Sequence, residues 1–151
     1  MNYEQIKKRI APCGMYCGKC FSFNTGDIGE YASKLQKALG EFDIYAKRFS
    51  ELIDEPKFLK YPEFKEMLNY FATPQCKGCR EEKCKLFKDC KVRGCTEKMN
   101  VDFCFECRDF QCNDTGFDEH LQKRYVRINE RMQEIGVEKY YEEIKDKPRY
   151  Q

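Results

Sequence analysis

Eleven of the 151 residues are cysteine, and they are clustered. Cys13, Cys17 and Cys20 stand near the start, and eight more lie between Cys76 and Cys112. Two Cys-x2-Cys pairs stand out, Cys76/Cys79 and Cys104/Cys107. That spacing lets two thiolates converge on one ion while the intervening amides point at the sulfurs, and zinc takes four such ligands tetrahedrally. Cys84, Cys90, Cys95 and Cys112 are interleaved with the pairs, a clustering that favours metal ligands over buried inert thiols. Two groupings are open. A ribbon reading joins Cys76/Cys79 to Cys104/Cys107 across 24 residues, and a local reading joins them to Cys90/Cys95 across ten. Doubling a loop costs only ~0.6 kcal/mol, so closure entropy does not decide. The local grouping is preferred for its remainder. It leaves Cys104, Cys107 and Cys112 to share a second ion with members of the Cys13, Cys17, Cys20 group.

The Cys-x3-Cys-x2-Cys opener is also the spacing by which radical S-adenosylmethionine enzymes hold an iron–sulfur cluster. Those enzymes need a barrel of alternating strands and helices, and nothing after Cys20 alternates that way. A plain iron–sulfur or thiol redox role stays open as the alternative to zinc, because the same thiolates hold either metal. His120 is the only histidine. A lone polar residue in the first turn of a helix is read as solvated rather than ligating. No Gly-rich phosphate loop and no G-x-S-x-G turn is found, so the reading leans away from an enzyme.

Composition narrows the class. An odd cysteine count excludes a complete set of internal disulfides. The opening MNYEQIKKRIAPCG has no apolar h-region, and no apolar run is long enough to span a membrane. A cytoplasmic location follows, where thiols stay reduced. Lys and Arg (28) nearly balance Asp and Glu (26), for a net +2, which argues against a dedicated polyanion binder. Between Lys77 and Arg93 there are nonetheless seven basic and three acidic residues. One zinc held by four thiolates is a dianion, and these cations would compensate it. Nucleic-acid binding by Lys83, Lys85, Lys88, Lys91 and Arg93, with Phe87 stacking, is the lesser alternative.

The elements that must position these residues read as helices. Ile28, Tyr31, Leu35 and Ala38 form one apolar stripe over Asp27–Leu39, and Phe42, Tyr45, Phe49 and Leu52 form the next. Asp54-Glu55-Pro56 is a break, after which Pro62 suits a first helical position ahead of Phe64, Met67, Leu68 and Phe71. Thr115 with Asp118 resembles a capping arrangement for a helix carrying Leu121, Tyr125, Ile128, Met132 and Ile135. Gly136 closes it, and Val137, Tyr140, Tyr141 and Ile144 mark a last short helix. The segment 76–112 has almost no periodicity and few aliphatic residues, so it needs a coordinate staple. The expected fold is mainly α with little β: one small domain over 1–151. It comprises an N-terminal cysteine cluster (1–24), a helical insert (25–73), metal-stapled knuckles (76–112) and C-terminal helices (115–146). Twelve Phe and ten Tyr would fill a core of aromatic helix faces.

With the residues in view, the chain resembles a cysteine-rich bacterial and archaeal family catalogued only as a domain of unknown function. The resemblance rests on IAPCGMYCGKC, CKGC, a C-x4-C and FCFECRDFQC followed by a helix ending in IGVEKY, from about Ile10 to Tyr140. The family shares CGxxCxxC early and CxxCxxFPC late. Carried over, its cysteines fall on Cys13, Cys17, Cys20, Cys76, Cys79, Cys90, Cys95, Cys104, Cys107 and Cys112. Cys84 looks like an extra, and Gln111 stands where the family usually has proline. The resemblance implies metal binding and no particular reaction. The function expected is therefore a zinc-binding interaction module with a protein partner.

Overall fold

In the computed structural model, which describes residues 1–150, seven α-helices run along the chain. They are α1 (Tyr3–Arg9), α2 (Asp27–Leu39), α3 (Phe42–Leu52), α4 (Tyr61–Ala72), α5 (Val92–Met99), α6 (Glu119–Ile135) and α7 (Val137–Ile144). Short 3-10 turns occupy Pro56–Lys60 and Cys104–Glu106. The fold is mainly helical. Among the described residues there is no sheet, and an isolated antiparallel bridge pairs Ile10 with Tyr16. The chain divides into two compact units, Met1–Cys20 with Cys76–Gln151, and Phe21–Gln75.

The first unit carries all the cysteines. Its α1 starts on a reciprocal cap: the Asn2 side chain accepts from the Gln5 amide, and the Asn2 amide donates to the Gln5 side chain, both at 3.0 Å. That helix buries Ile6 against a core of Ile10, Met15, Tyr16, Val92, Phe103, Tyr125, Ile128, Met132, Val137, Tyr140 and Tyr141. Helix α6 is capped by Asp118, whose carboxylate accepts from the Leu121 amide at 2.8 Å. Thr115, read from the sequence as part of that cap, does other work. Its buried hydroxyl donates to Gln122 Oε1 and accepts from the Phe117 amide. The turn after Cys13 packs on α6 so closely that a Cβ on Gly14 would lie 2.4 Å from the Ile128 side chain.

The segment 76–112 is more ordered than its lack of periodicity suggests, because α5 lies within it. Only Val92 and Thr96 are buried there, one turn apart, so the stripe is two residues long. Arg80 braces the segment from inside. Its Nε donates to the Lys7 and Ile10 carbonyls, its Nη1 donates to the Asp102 carbonyl, and its guanidinium lies 4.6 Å from the Phe103 ring centroid.

In the second unit, α2 packs on α4, and Gln36 Nε2 donates to Asn69 Oδ1 at 2.6 Å. Phe42, Phe49, Phe58 and Tyr61 form an aromatic cluster with ring centroids 5.0–6.1 Å apart. Pro62 is the second residue of α4 rather than the first. The apolar stripe of α2 is not its buried face: Tyr31 is 64% and Leu35 44% exposed, while Gly29 and Ala32 are buried. Small residues sit inside because Gly29 meets Pro74, whose Cγ would lie 2.7 Å from a Cβ there.

Candidate metal centre

Four of the thiols line one small cavity. Cys95 reaches it from α5, Cys104 and Cys107 from the 3-10 turn and its end, and Cys112 from the loop before α6. The cavity is about 20 Å³, room for one atom-sized guest, and Met99, Phe110 and Tyr125 close it with apolar surface. The Tyr125 side chain is almost wholly buried, and its hydroxyl hydrogen-bonds the sulfurs of Cys104 and Cys112. Burial pushes the Cys104 thiol up to about 12, against that hydrogen bond and with the neighbouring cysteines adding to the rise. Removed from water and crowded by its neighbours, the Cys104 thiol holds its proton until a cation replaces it.

The other seven cysteines form a looser group. Cys13 is an electrostatic neighbour of Cys17, Cys90 and also Cys104, and Cys17 of Cys20, Cys76 and Cys84. Burial pushes Cys17 up to about 11, and the Arg149 guanidinium opposes the rise. Cys79 and Cys84 are hydrogen-bonded to each other, so Cys79 keeps its proton and Cys84 moves toward the thiolate. Cys84, which looked like an extra, is therefore in direct contact with a cysteine of the pattern.

Backbone amides are aimed at several sulfurs. Gly78 N–H donates to Cys76, Phe87 N–H to Cys84 and Asp109 N–H to Cys107, each at 3.4 Å. Met15 N–H serves Cys13, and Val92 N–H serves Cys90. An amide two or three residues on, turned back to the sulfur, favours its anionic form. Among the described residues, no three His, Cys, Asp or Glu groups stand close enough, as placed, to hold an ion. The donor chemistry nevertheless fits one: four soft thiols, tetrahedral in number, around one small space.

Both groupings drawn from spacing differ from this arrangement. Cys95 sits with Cys104, Cys107 and Cys112 rather than with Cys76/Cys79, and Cys90 sits with Cys13 and Cys84. Cys76 and Cys79 are not among the residues lining the cavity of Cys104 and Cys107. Gln111 has φ +71, a left-handed conformation that proline cannot adopt, so the residue in the proline's place goes with a different turn before Cys112. His120 is exposed on the first turn of α6. Of the five cations read as a nucleic-acid face, Lys85 pairs with Glu82, Lys91 with Asp114 and Arg93 with Glu97.

One positioning residue carries no cysteine-like signal in the sequence. Asn129 is 0% exposed on α6; its Nδ2 donates to the Cys13 carbonyl at 2.8 Å and to the Tyr125 carbonyl at 3.0 Å. Its Oδ1 accepts from the Phe105 amide at 3.1 Å, so one amide clips the opening cysteine loop to the late one. The Cys104 amide adds a second clip, donating to the Pro12 carbonyl at 3.1 Å.

A mainly helical unit with eleven free thiols gathered around its core defines a cysteine-rich α-helical protein. The chain belongs to the family described as Protein of unknown function (DUF3795), whose model matches residues 9–116. The match ends before α6 and so leaves out the IGVEKY segment. No curated protein and no solved structure matches the chain.

Proposed function

We propose that the protein is a zinc-stapled interaction module, in which Cys95, Cys104, Cys107 and Cys112 hold one zinc ion as thiolates. The observation that carries this reading is that these four side chains, from three separate local segments, line a single small cavity. Zinc supplies cross-linking here rather than chemistry on a substrate: four ligand bonds fix α5, the 3-10 turn and the loop before α6 to one point. Metal affinity at such a site is folding free energy, on the order of 10 kcal/mol or more. The remaining pattern cysteines, Cys13, Cys17, Cys20, Cys76, Cys79 and Cys90, together with Cys84, supply donors for a second site. A protein partner is supported by the second unit, where Ile44, Leu52, Ile53, Leu59, Met67 and Tyr70 are all exposed large apolar side chains. A reducing compartment such as the cytoplasm suits free thiols of this number. Among the described residues, no helix is long and apolar enough to cross a membrane.

Elemental analysis of protein purified without oxygen tests the zinc reading. Cys95→Ser and Cys107→Ser should each lower zinc by about one ion per chain relative to the parent, and chelation under reducing conditions should lower the melting point. Unchanged zinc content in both variants would overturn the assignment. A second reading, thiol redox or iron–sulfur chemistry, is favoured by the hydrogen bond between Cys79 and Cys84. A brown, iron-containing preparation supports it, and a colourless zinc protein excludes the iron–sulfur form.

A further inference from the structure

The thiols leave unexplained a concavity of about 700 Å³ in the first unit, formed by α6, α7 and the residues after α7. Six cations line it: Lys123, Arg124, Arg127, Arg131, Lys147 and Arg149. Glu143 is the only carboxylate among its lining residues. Lys123 is paired with Glu119, and Arg131 with Glu134 and Glu143. Arg124, Arg127, Lys147 and Arg149 have no carboxylate within ion-pair distance among the described residues. Four cations without an ion pair in one concavity are twice the net charge of +2 carried by the entire chain, although Lys147 also feels Glu143.

The arginines are held in place without being neutralised. Arg124 Nη2 donates to the Arg149 carbonyl at 3.2 Å, and the Arg149 guanidinium donates to the Tyr16 carbonyl. Neutral carbonyl acceptors orient these groups without cancelling their charge, which Arg149 also brings to bear on the Cys17 and Cys84 thiols. On α6, Arg124, Arg127 and Arg131 follow one another at three and four residues, so like charges share one helix face and oppose the helix they stand on. A solvated helix face would alternate signs here. Tyr140, buried at the back, has Arg124 and Arg127 as cationic neighbours and Glu143 as an anionic one. Burial raises its hydroxyl to about 12 and the two guanidiniums oppose the rise, so it stays a neutral hydrogen-bond donor. Ile128 and Ile144 give the concavity an apolar floor.

We propose that this concavity binds a phosphorylated small molecule of about nucleotide size, with its phosphates on Arg124, Arg127, Lys147 and Arg149 and its uncharged part on the Tyr140, Ile128 and Ile144 surface. Guanidinium forks match phosphate oxygens in pairs, and a polyphosphate brings more oxygens and more charge to four cations than a single carboxylate does. The volume falls within the ~300–1,000 Å³ range of small-molecule sites and exceeds what inorganic phosphate fills. The cations of the α6 face are joined in one concavity by Lys147 and Arg149 from beyond α7, an arrangement that suits a compact ligand better than an extended nucleic-acid backbone. Cys95, Cys104, Cys107 and Cys112 are not among its lining residues, so it stands or falls independently of the zinc they are proposed to hold.

Isothermal titration calorimetry of the full chain at low ionic strength, with ADP, pyrophosphate and adenosine as probes, tests the proposal. ADP and pyrophosphate should bind one per chain, and adenosine at least about tenfold more weakly than ADP. Arg127→Gln and Lys147→Gln remove exposed side chains that make no ion pair, and each should weaken both phosphate probes by about tenfold. Arg127→Lys should fall between Arg127→Gln and the parent, and Arg93→Gln, on α5, should match the parent. No saturable binding of ADP or pyrophosphate overturns the site. So does binding that Arg127→Gln and Lys147→Gln leave unchanged, or a short single-stranded RNA that binds more tightly than ADP through the same residues.

Discussion

Asn129 uses both halves of its side-chain amide, and the groups it satisfies belong to two different cysteine loops. Replacing it by leucine keeps the branched shape at a larger volume and removes all its side-chain bonds, leaving the part-buried Phe105 N–H and the Cys13 carbonyl without this partner. Each such group costs about 1–3 kcal/mol when stranded, so Asn129→Leu should lose roughly 2–4 kcal/mol in urea denaturation of the reduced protein. A loss under 1 kcal/mol would mean that water or another donor already serves these groups. Arg80 works similarly from the other side, holding three carbonyls of the first unit with one guanidinium. Neither residue has a sequence signature. An asparagine inside an apolar helical stripe and an arginine after a CKGC knuckle both read as ordinary surface residues until the loops around them close.

The helices divide by how far their apolar pattern extends. Helices α2, α3, α4, α6 and α7 fall where three- and four-residue spacing places them, because each has an apolar stripe several residues long. For α5 there are two buried positions and for α1 one, too few to register as a stripe. The Asn2-x-x-Gln5 cap is the signal that could have found α1. Which face of α2 is buried was not legible, since Tyr31 and Leu35 look like core until Pro74 claims the glycine side. The cavity's four cysteines were not legible for a related reason: spacing counts residues along the chain, whereas α5 brings Cys95 to the space lined by Cys104, Cys107 and Cys112. That geometry depends on a close crossing after the knuckles. Lys91 N–H donates to the Thr115 carbonyl at 3.0 Å, and a Cβ on Gly116 (φ +75) would lie 2.0 Å from the Asp89 carbonyl oxygen. Backbone cannot yield as a side chain does, so Gly116→Ala should cost roughly 2–4 kcal/mol. The measurement is the melting point of the zinc-loaded protein. A variant melting with the parent would show that the segments at Asp89 and Gly116 can separate at no cost.

At the scale of the whole molecule, the second unit is inserted in the sequence between Cys20 and Cys76, and those two thiols are electrostatic neighbours in the first unit. The insert therefore leaves and returns at nearly one place, which a short loop could also close. Loop closure weakens only as the logarithm of length, and each halving returns about 0.6 kcal/mol. Replacing Phe21–Gln75 by a Gly/Ser linker about eightfold shorter is three halvings, a gain of roughly 2 kcal/mol for the first unit. The second unit contributes no cysteine, and its buried hydrophobic residues, Phe23, Ala32, Ala46, Tyr61 and Leu68, are few against the apolar surface it exposes. The shortened chain should thus keep the parent's zinc content per chain and its binding of pyrophosphate, while its helical circular dichroism falls by the share belonging to α2, α3 and α4. Solubility should rise, because most of the exposed large apolar side chains go with the insert. Loss of zinc from the shortened chain would show that the first unit depends on its insert to fold. Loss of protein-partner binding alone, with zinc retained, would place the interaction surface on the inserted helices and separate the staple from what it serves.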